Sequence, residues 1–424
     1  MNSISNTQSI LNNLSFDNIK LNSEYEFEFN DLLEKPLECL YTYLNLLKQN
    51  DKKIIAFLTH EFVPIELISF TGAIPLPLIF AGEEDLFSAG SSYLTTSMCQ
   101  YALSMIGAFD NSQNLRKFKF LNLVDGIISS NYCVTETLST EWISDLRKIK
   151  KFIVHIPYLQ KDYHSNFYGE ELKRLMYELL NFTNSKTIKE LNFTQNIESV
   201  KKYLELYENL KELYKLPIPY SIKLKINHLS KLFGPDLFST KVFKELISTF
   251  QKSNNLNIKY KKKLALIGAS FFYGDILINI IEDAGGLICA DLTWLNRDID
   301  SFNFVYFEND KLKLDNILNL KSIDELVKIY IDRFNKIKIS PHNAYEKNPL
   351  NNFINSVEVI MKKLEINSII NHIIKFCDLT GHHRQEVKNL LQSKGFQVLN
   401  LERDFSNKTI GQLKTRIEAF LEMI

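Results

Sequence analysis

Three cysteines stand at positions where chemistry is possible. Cys377 ends the apolar run of "INHIIKFCDLTGHHRQE" and is followed at once by Asp378 and a charged, helical stretch. Cys133 ends a comparable run in "VDGIISSNYCVTETL". Cys99 lies in "SYLTTSMCQYALSMIGAF", where Thr95, Thr96 or Ser97 is expected to cap a helix and put Cys99 in its first turn. Unsatisfied N–H groups and the helix dipole favour a thiolate there, and the thiolate is the form that binds metal. Three widely spaced thiols are one short of the four-cysteine set of a closed iron–sulfur or structural zinc site. They would leave one coordination position open to substrate. The plain alternative is that a lone cysteine is a small buried hydrophobe, and Cys39 and Cys289, inside apolar patterns, are read that way.

Other residues compete for a role. Glu66 in "HEFVPIEL" falls just past an apolar run, near the first turn of the next helix. It is either a solvated carboxylate favoured by the dipole or a cleft-facing acid or base. His382 and His383 could join Cys377 in a zinc site, but neighbouring helical residues point apart, and Arg384 and Glu386 mark a solvated face. "IGASFFYGD" follows a strand as a phosphate loop would, yet departs from the G-x-G-x-x-G pattern.

These residues need elements to hold them, and the chain supplies the same elements twice. "KKIIAFLTHEFVPIELISFTGAIPL" reads as strand, helix, strand, with the run Ile54 to Leu58, a helix start at Pro64 and a stop at Gly72. "KKLALIGASFFYGDILINIIEDAGGLICADL" repeats the unit, with Leu264 to Ile267, a helix from about Gly274 and a stop at Gly285 and Gly286. A second repeated unit runs through each later cysteine, which makes Cys133 and Cys377 positional equivalents. Its helix carries Leu138, Trp142 and Leu146 in the first copy and Val387, Leu390 and Leu391 in the second. Alternating strands and helices predict an α/β fold of two similar domains, each with a mostly parallel sheet flanked by helices. Ligands of such sheets gather outside the carboxyl ends of the strands, where both cysteines fall.

The remaining chain is helical in pattern. Residues from about 160 to 255 are polar and amphipathic, with Ile197, Val200, Leu204, Tyr207 and Leu210 on one stripe. Residues 1–49 are thus expected to form an amino-terminal helical arm. A first α/β domain spans 50–230, with a helical insert over about 160–230. A second spans 231–424 and ends in a helix. Fifty basic residues balance fifty acidic ones, so charge points to neither nucleic acid nor an anionic membrane. Pro64, Glu66, Pro75 and Pro77 interrupt the most apolar run, which rules it out as a membrane span. With no basic stretch leading an apolar core at the amino terminus, a cytoplasmic protein is expected, and its cysteines are expected free.

Four segments resemble the 2-hydroxyacyl-CoA dehydratase and benzoyl-CoA reductase family, in its iron–sulfur subunit of the D-component type. They are "HEFVPIELISFTGAIPLPL", the segment around Cys99, the strand ending at Cys133, and the stretch from "KFCDLTGHHRQEV" to the end. The final helix, with Gly411, Gln412, Thr415, Arg416, Glu418, Ala419, Phe420 and Glu422, carries the most specific match. The resemblance implies a 4Fe-4S cluster between the domains, with Cys99, Cys133 and Cys377 as its three protein ligands and an open fourth iron. It implies elimination of water from a 2-hydroxyacyl-CoA. One electron placed on the thioester carbonyl gives a ketyl radical, which expels the 2-hydroxyl and leaves a β-proton far easier to remove. Glu66 matches the family's P-x-E segment and is implied in positioning or proton transfer. A homologous second subunit in a heterodimer and a separate ATP-dependent iron–sulfur activator are implied partners. The same scaffold also serves aryl-CoA reduction, or a cluster-bearing subunit that binds no acyl-CoA. Val134 follows Cys133 where relatives more often carry aspartate.

Overall fold

The structure, a computed structural model, describes residues 27–58, 63–80, 82–156, 162–183, 193–252, 262–294, 319–336, 349–405 and 407–424, with scattered positions from 11 to 24. Two helices, α1 (Phe29–Glu34) and α2 (Pro36–Gln49), precede the first sheet. That sheet holds β1 (Ile54–Phe57), β2 (Ile74–Pro77), β3 (Gly126–Ser130) and β4 (Lys150–Val154) in the order β2-β1-β3-β4. Helix α3 (Ile65–Phe70) links β1 to β2, α4 (Glu84–Gly90) and α5 (Gln100–Asp110) lie between β2 and β3, and α6 (Val134–Arg147) links β3 to β4. Four helices follow, α7 (Asp162–Phe182), α8 (Phe193–Tyr214), α9 (Tyr220–Leu237) and α10 (Thr240–Lys252).

The second sheet repeats the first. Strands β5 (Lys262–Gly268), β6 (Gly286–Thr293), β7 (Ser368–Ile374) and β8 (Gln397–Arg403) take the order β6-β5-β7-β8. Helix α11 (Leu277–Asp283) links β5 to β6, and α12 (Ile323–Lys336) and α13 (Pro349–Lys363) come before β7. Then α14 (Asp378–Gly381) and α15 (Arg384–Ser393) link β7 to β8, and α16 (Ile410–Met423) ends the chain. Every strand pairing is parallel. The protein is therefore α/β with two four-stranded parallel sheets, and the repeat legible in sequence is a repeat of topology.

Parallel strands must be covered on both faces, and period-two alternation decides what covers each. In β5, Ala265 and Ile267 meet Phe353, Val357 and Ile360 of α13 and Val387 and Leu391 of α15. Leu264 and Leu266 face the other way, onto Leu277 and Ile281 of α11 and Ile417 and Phe420 of α16. The insert stripe of Ile197, Val200, Leu204, Tyr207 and Leu210 is buried along its whole length. Helix α6 differs from expectation. Its buried face is Thr135, Glu136, Ser139, Thr140 and Ile143, whereas Trp142 stays 38% exposed. The turn before the helix sets its rotation, and apolar periodicity cannot show that.

The halves are joined by backbone and by rings. Tyr273 N–H donates to the Ile79 carbonyl at 2.6 Å, and Phe80 and Tyr273 form a parallel bridge. Tyr101 of α5 stacks on Phe272 with centroids 4.4 Å apart and donates its hydroxyl to the Leu78 carbonyl. Helix α5 is fixed on its other side by α4, where two glycines allow backbone contact. A Cβ on Gly90 would strike the Leu103 carbonyl, and one on Gly107 would strike the Leu86 carbonyl.

Gly107→Ala should therefore destabilise the chain by about 1–3 kcal/mol despite the better helix propensity of alanine, as measured by urea denaturation. A second expectation concerns His228, which α9 buries against Tyr273. Burial, then the charge of Lys231, pushes its pKa down to about 3. The unfolded chain takes up that proton near pH 6.5, so stability is present above roughly that value and lost as the pH falls. The urea midpoint should drop between roughly pH 7 and pH 5, and His228→Leu should flatten that dependence.

Candidate functional site

In both halves the strand order reverses direction of travel between its two central strands, β1 and β3 or β5 and β7, and a crevice opens outside their carboxyl ends. The cysteines sit there with the same spacing. Cys133 lies three residues past β3, at the N-cap of α6, and Cys377 lies three residues past β7, at the N-cap of α14. Neither strand reaches its cysteine, because a turn intervenes. Cys99 is also an N-cap residue, of α5, and so precedes the first helical turn rather than lying within it. The hydroxyl of Thr95 accepts from Ser97 N–H instead of capping the helix. Each cysteine carbonyl accepts a bond from its helix, from Leu103, Thr137 or Gly381 N–H.

The three thiols come together. Cys99 is within hydrogen-bonding reach of Cys377, and Cys133 is close enough to act on it electrostatically. The hydrogen bond to Cys377, then burial, then the charges of Cys377 and Cys133 hold the Cys99 thiol well above the usual range. Cys99 and Cys377 are buried, and Cys133 is half-buried. Among the described residues no three His, Cys, Asp or Glu side chains converge tightly enough to grip a single ion. The other two cysteines stand apart: Cys39 packs inside α2, where burial pushes its thiol up to about 11, and Cys289 in β6 donates to the Leu287 carbonyl. His382 and His383 face solvent beside Asp378 and Glu386.

Local bonds set each thiol in place. Glu136 accepts from Ser130 N–H at 3.0 Å, and the Thr137 hydroxyl donates to the Ser130 carbonyl at 3.0 Å, so α6 grips its own entry turn. Val134, next to Cys133, projects into water with 66% exposure. Before Cys377, Phe376 adopts φ +63°, a left-handed conformation that costs a bulky residue about 1–3 kcal/mol. Lys375 N–H donates to the Arg403 carbonyl at 2.8 Å and steadies that turn.

Arg403 is the anchor beneath it, and sequence reasoning missed it. Its side chain is 7% exposed, forms an ion pair with Asp275, and donates from Nε to His372 Nε2 at 2.9 Å. His372 Nδ1 lies 2.7 Å from the Ala269 carbonyl, so Nδ1 carries the proton and Nε2 accepts from Arg403. Burial, then Arg403, holds His372 well below its usual pKa and keeps it neutral. The network ties the carboxyl ends of β5, β7 and β8 together. The available signal was polar: a histidine inside "INHII" and an arginine at the end of β8.

Glu66 lies elsewhere in the contact network. It is buried in α3, accepts from the Tyr207 hydroxyl at 3.3 Å, and faces α8 of the helical insert. Beside Cys99 and Cys377 a cleft of about 460 Å³ opens between Thr96, Ser97 and Gln100 on one wall and Lys375 and Phe376 on the other. A larger crevice of about 540 Å³ adjoins it and shares Glu84, Asp404 and Phe405.

Removing Arg403 strands a buried carboxylate. Arg403→Met should cost about 3–5 kcal/mol in urea denaturation, and adding Asp275→Leu should recover much of the loss. Equal stability of the single variant and the parent would contradict the anchor.

No curated protein matches the chain. A family model described as 2-hydroxyglutaryl-CoA dehydratase, D-component, matches residues 61–424, a span that takes in every strand except β1, the insert and all three converging cysteines. The chain belongs to the 2-hydroxyglutaryl-CoA dehydratase D-component family.

Proposed function

We propose that this dehydratase subunit carries a 4Fe-4S cluster on Cys99, Cys133 and Cys377 and takes part in eliminating water from a 2-hydroxyacyl-CoA. The observation that supports the reading most is the meeting of three thiols from three helix N-caps. Three thiols, two buried and one half-buried, are a donor set that suits an iron–sulfur cluster. When bound, such a cluster supplies single electrons and a Lewis-acidic iron, the chemistry that ketyl-type water loss requires.

The chain's own residues do the rest. At Cys99 the Ala102 N–H reaches the sulfur and favours the thiolate, against the burial and neighbouring thiols that oppose it. Arg403, through the Lys375 turn, holds Cys377 in register with Cys99. Thr96 and Ser97 offer hydroxyl groups where the acyl group would approach. Glu66, which accepts from the Tyr207 hydroxyl, is the carboxylate for positioning or proton transfer. The description of the family as one component supports the remaining parts: a homologous second subunit, a separate ATP-dependent activator, and an acyl-CoA substrate. No helix among the described residues is long and apolar enough to cross a membrane, and five free thiols suit a reducing cytoplasm.

Protein purified without oxygen should contain about four irons and four sulfides per chain and give an EPR signal on reduction. Alanine at Cys99, Cys133 or Cys377 should lower iron or abolish the signal, whereas Cys289→Ala should leave both unchanged. Equal iron in Cys377→Ala and Cys289→Ala would remove the ligand assignment.

A further inference from the structure

We infer that the cleft beside Cys99 and Cys377 selects an apolar, ring-bearing acyl group over a dicarboxylic one, an inference that rests on the acyl-CoA reading above. The place of the cleft is fixed by its walls. Thr96, Ser97 and Gln100 lie within three residues of Cys99, and Lys375 and Phe376 within two of Cys377. A group bound there lies beside the segments that carry two of the thiols. At about 460 Å³ the cleft falls within the range of small-molecule sites.

Its apolar wall consists of aromatic rings, Phe87, Phe376 and Phe405. Two of them are held. Phe405 N–H donates to Gln100 Oε1 at 3.2 Å, and the Arg403 guanidinium lies 5.2 Å from the Phe405 ring. Phe376 is set by its left-handed backbone, with the Lys375 ammonium 5.3 Å from its ring. Rings fixed in this way favour edge and offset contacts with an aromatic guest, at little further ordering cost.

The polar lining disfavours a second carboxylate. Glu84 and Asp404 both face the cleft. Lys375, the one cation among its described lining residues, already lies 4.0 Å from Asp404, and Glu84 pairs at 3.4 Å with the exposed Lys408. The far carboxylate of a 2-hydroxyglutaryl group would meet two like charges and a lysine already engaged. An uncharged ring would meet neither penalty.

The test is equilibrium binding to the full chain, purified without oxygen, of 2-hydroxy-3-phenylpropanoyl-CoA, 2-hydroxyglutaryl-CoA and free CoA. The phenyl thioester should bind about tenfold tighter than the glutaryl one, the scale on which apolar pockets discriminate. Phe87→Ala and Phe376→Ala should each cut that affinity about tenfold and leave the glutaryl affinity within about twofold. Phe376 is 43% exposed, so its truncation tests the cleft without threatening the fold. Equal or tighter glutaryl binding, or phenyl binding indifferent to both substitutions, overturns the inference while the acyl-CoA reading stands. If neither thioester binds better than free CoA, both are overturned.

Discussion

A parallel sheet covered on both faces has one edge on which polar chemistry can be placed, and the protein is organised around that constraint. Helices occupy the flanks, so each strand must release its polar residues beyond its carboxyl end, where the next helix begins with unsatisfied N–H groups. Cys133 and Cys377 occupy equivalent points on that edge, and Cys99 enters it from α5. The two halves meet where Tyr273 reaches across to Ile79 and Tyr101 stacks on Phe272. The shared crevice follows from these two contacts.

Within the crevice, rigidity comes from buried charge. The Arg403–Asp275 pair is weak evidence for net stability, since desolvation offsets most of its attraction. Its effect is specific geometry. Arg403 can satisfy Asp275 and His372 together only if the ends of β5, β7 and β8 keep one arrangement, and the strained Phe376 turn rests on the Arg403 carbonyl. Left-handed strain at a phenylalanine persists where the surroundings over-determine it, and here they do.

Much of this was legible from residue types. The run Ile54 to Leu58, the equivalence of Cys133 and Cys377, and the stripe from Ile197 to Leu210 all follow from periodicity, which reports burial directly. Cap positions were less so. Cysteine is not a usual N-cap residue, so Thr95, Thr96 and Ser97 drew the start of α5 too early. The face of α6 was misjudged because Thr135, Ser139 and Thr140 bury well when their hydroxyls bond back to the helix, as those of Ser139 and Thr140 do on Glu136. The Arg403 network could not be read at all. His372 lies in β7, Arg403 at the end of β8 and Asp275 in the segment between β5 and α11, and only the assembled fold brings them together.

The contact between Cys99 and Cys377 joins residues 278 positions apart, and the turn that presents Cys377 leans on Arg403, further along still. A ribosome making this protein exposes the first two thiols long before it makes the third. At about 5–20 residues per second that interval lasts on the order of tens of seconds. The trio thus forms only once Arg403 has been made, and anything that needs all three thiols must wait for it.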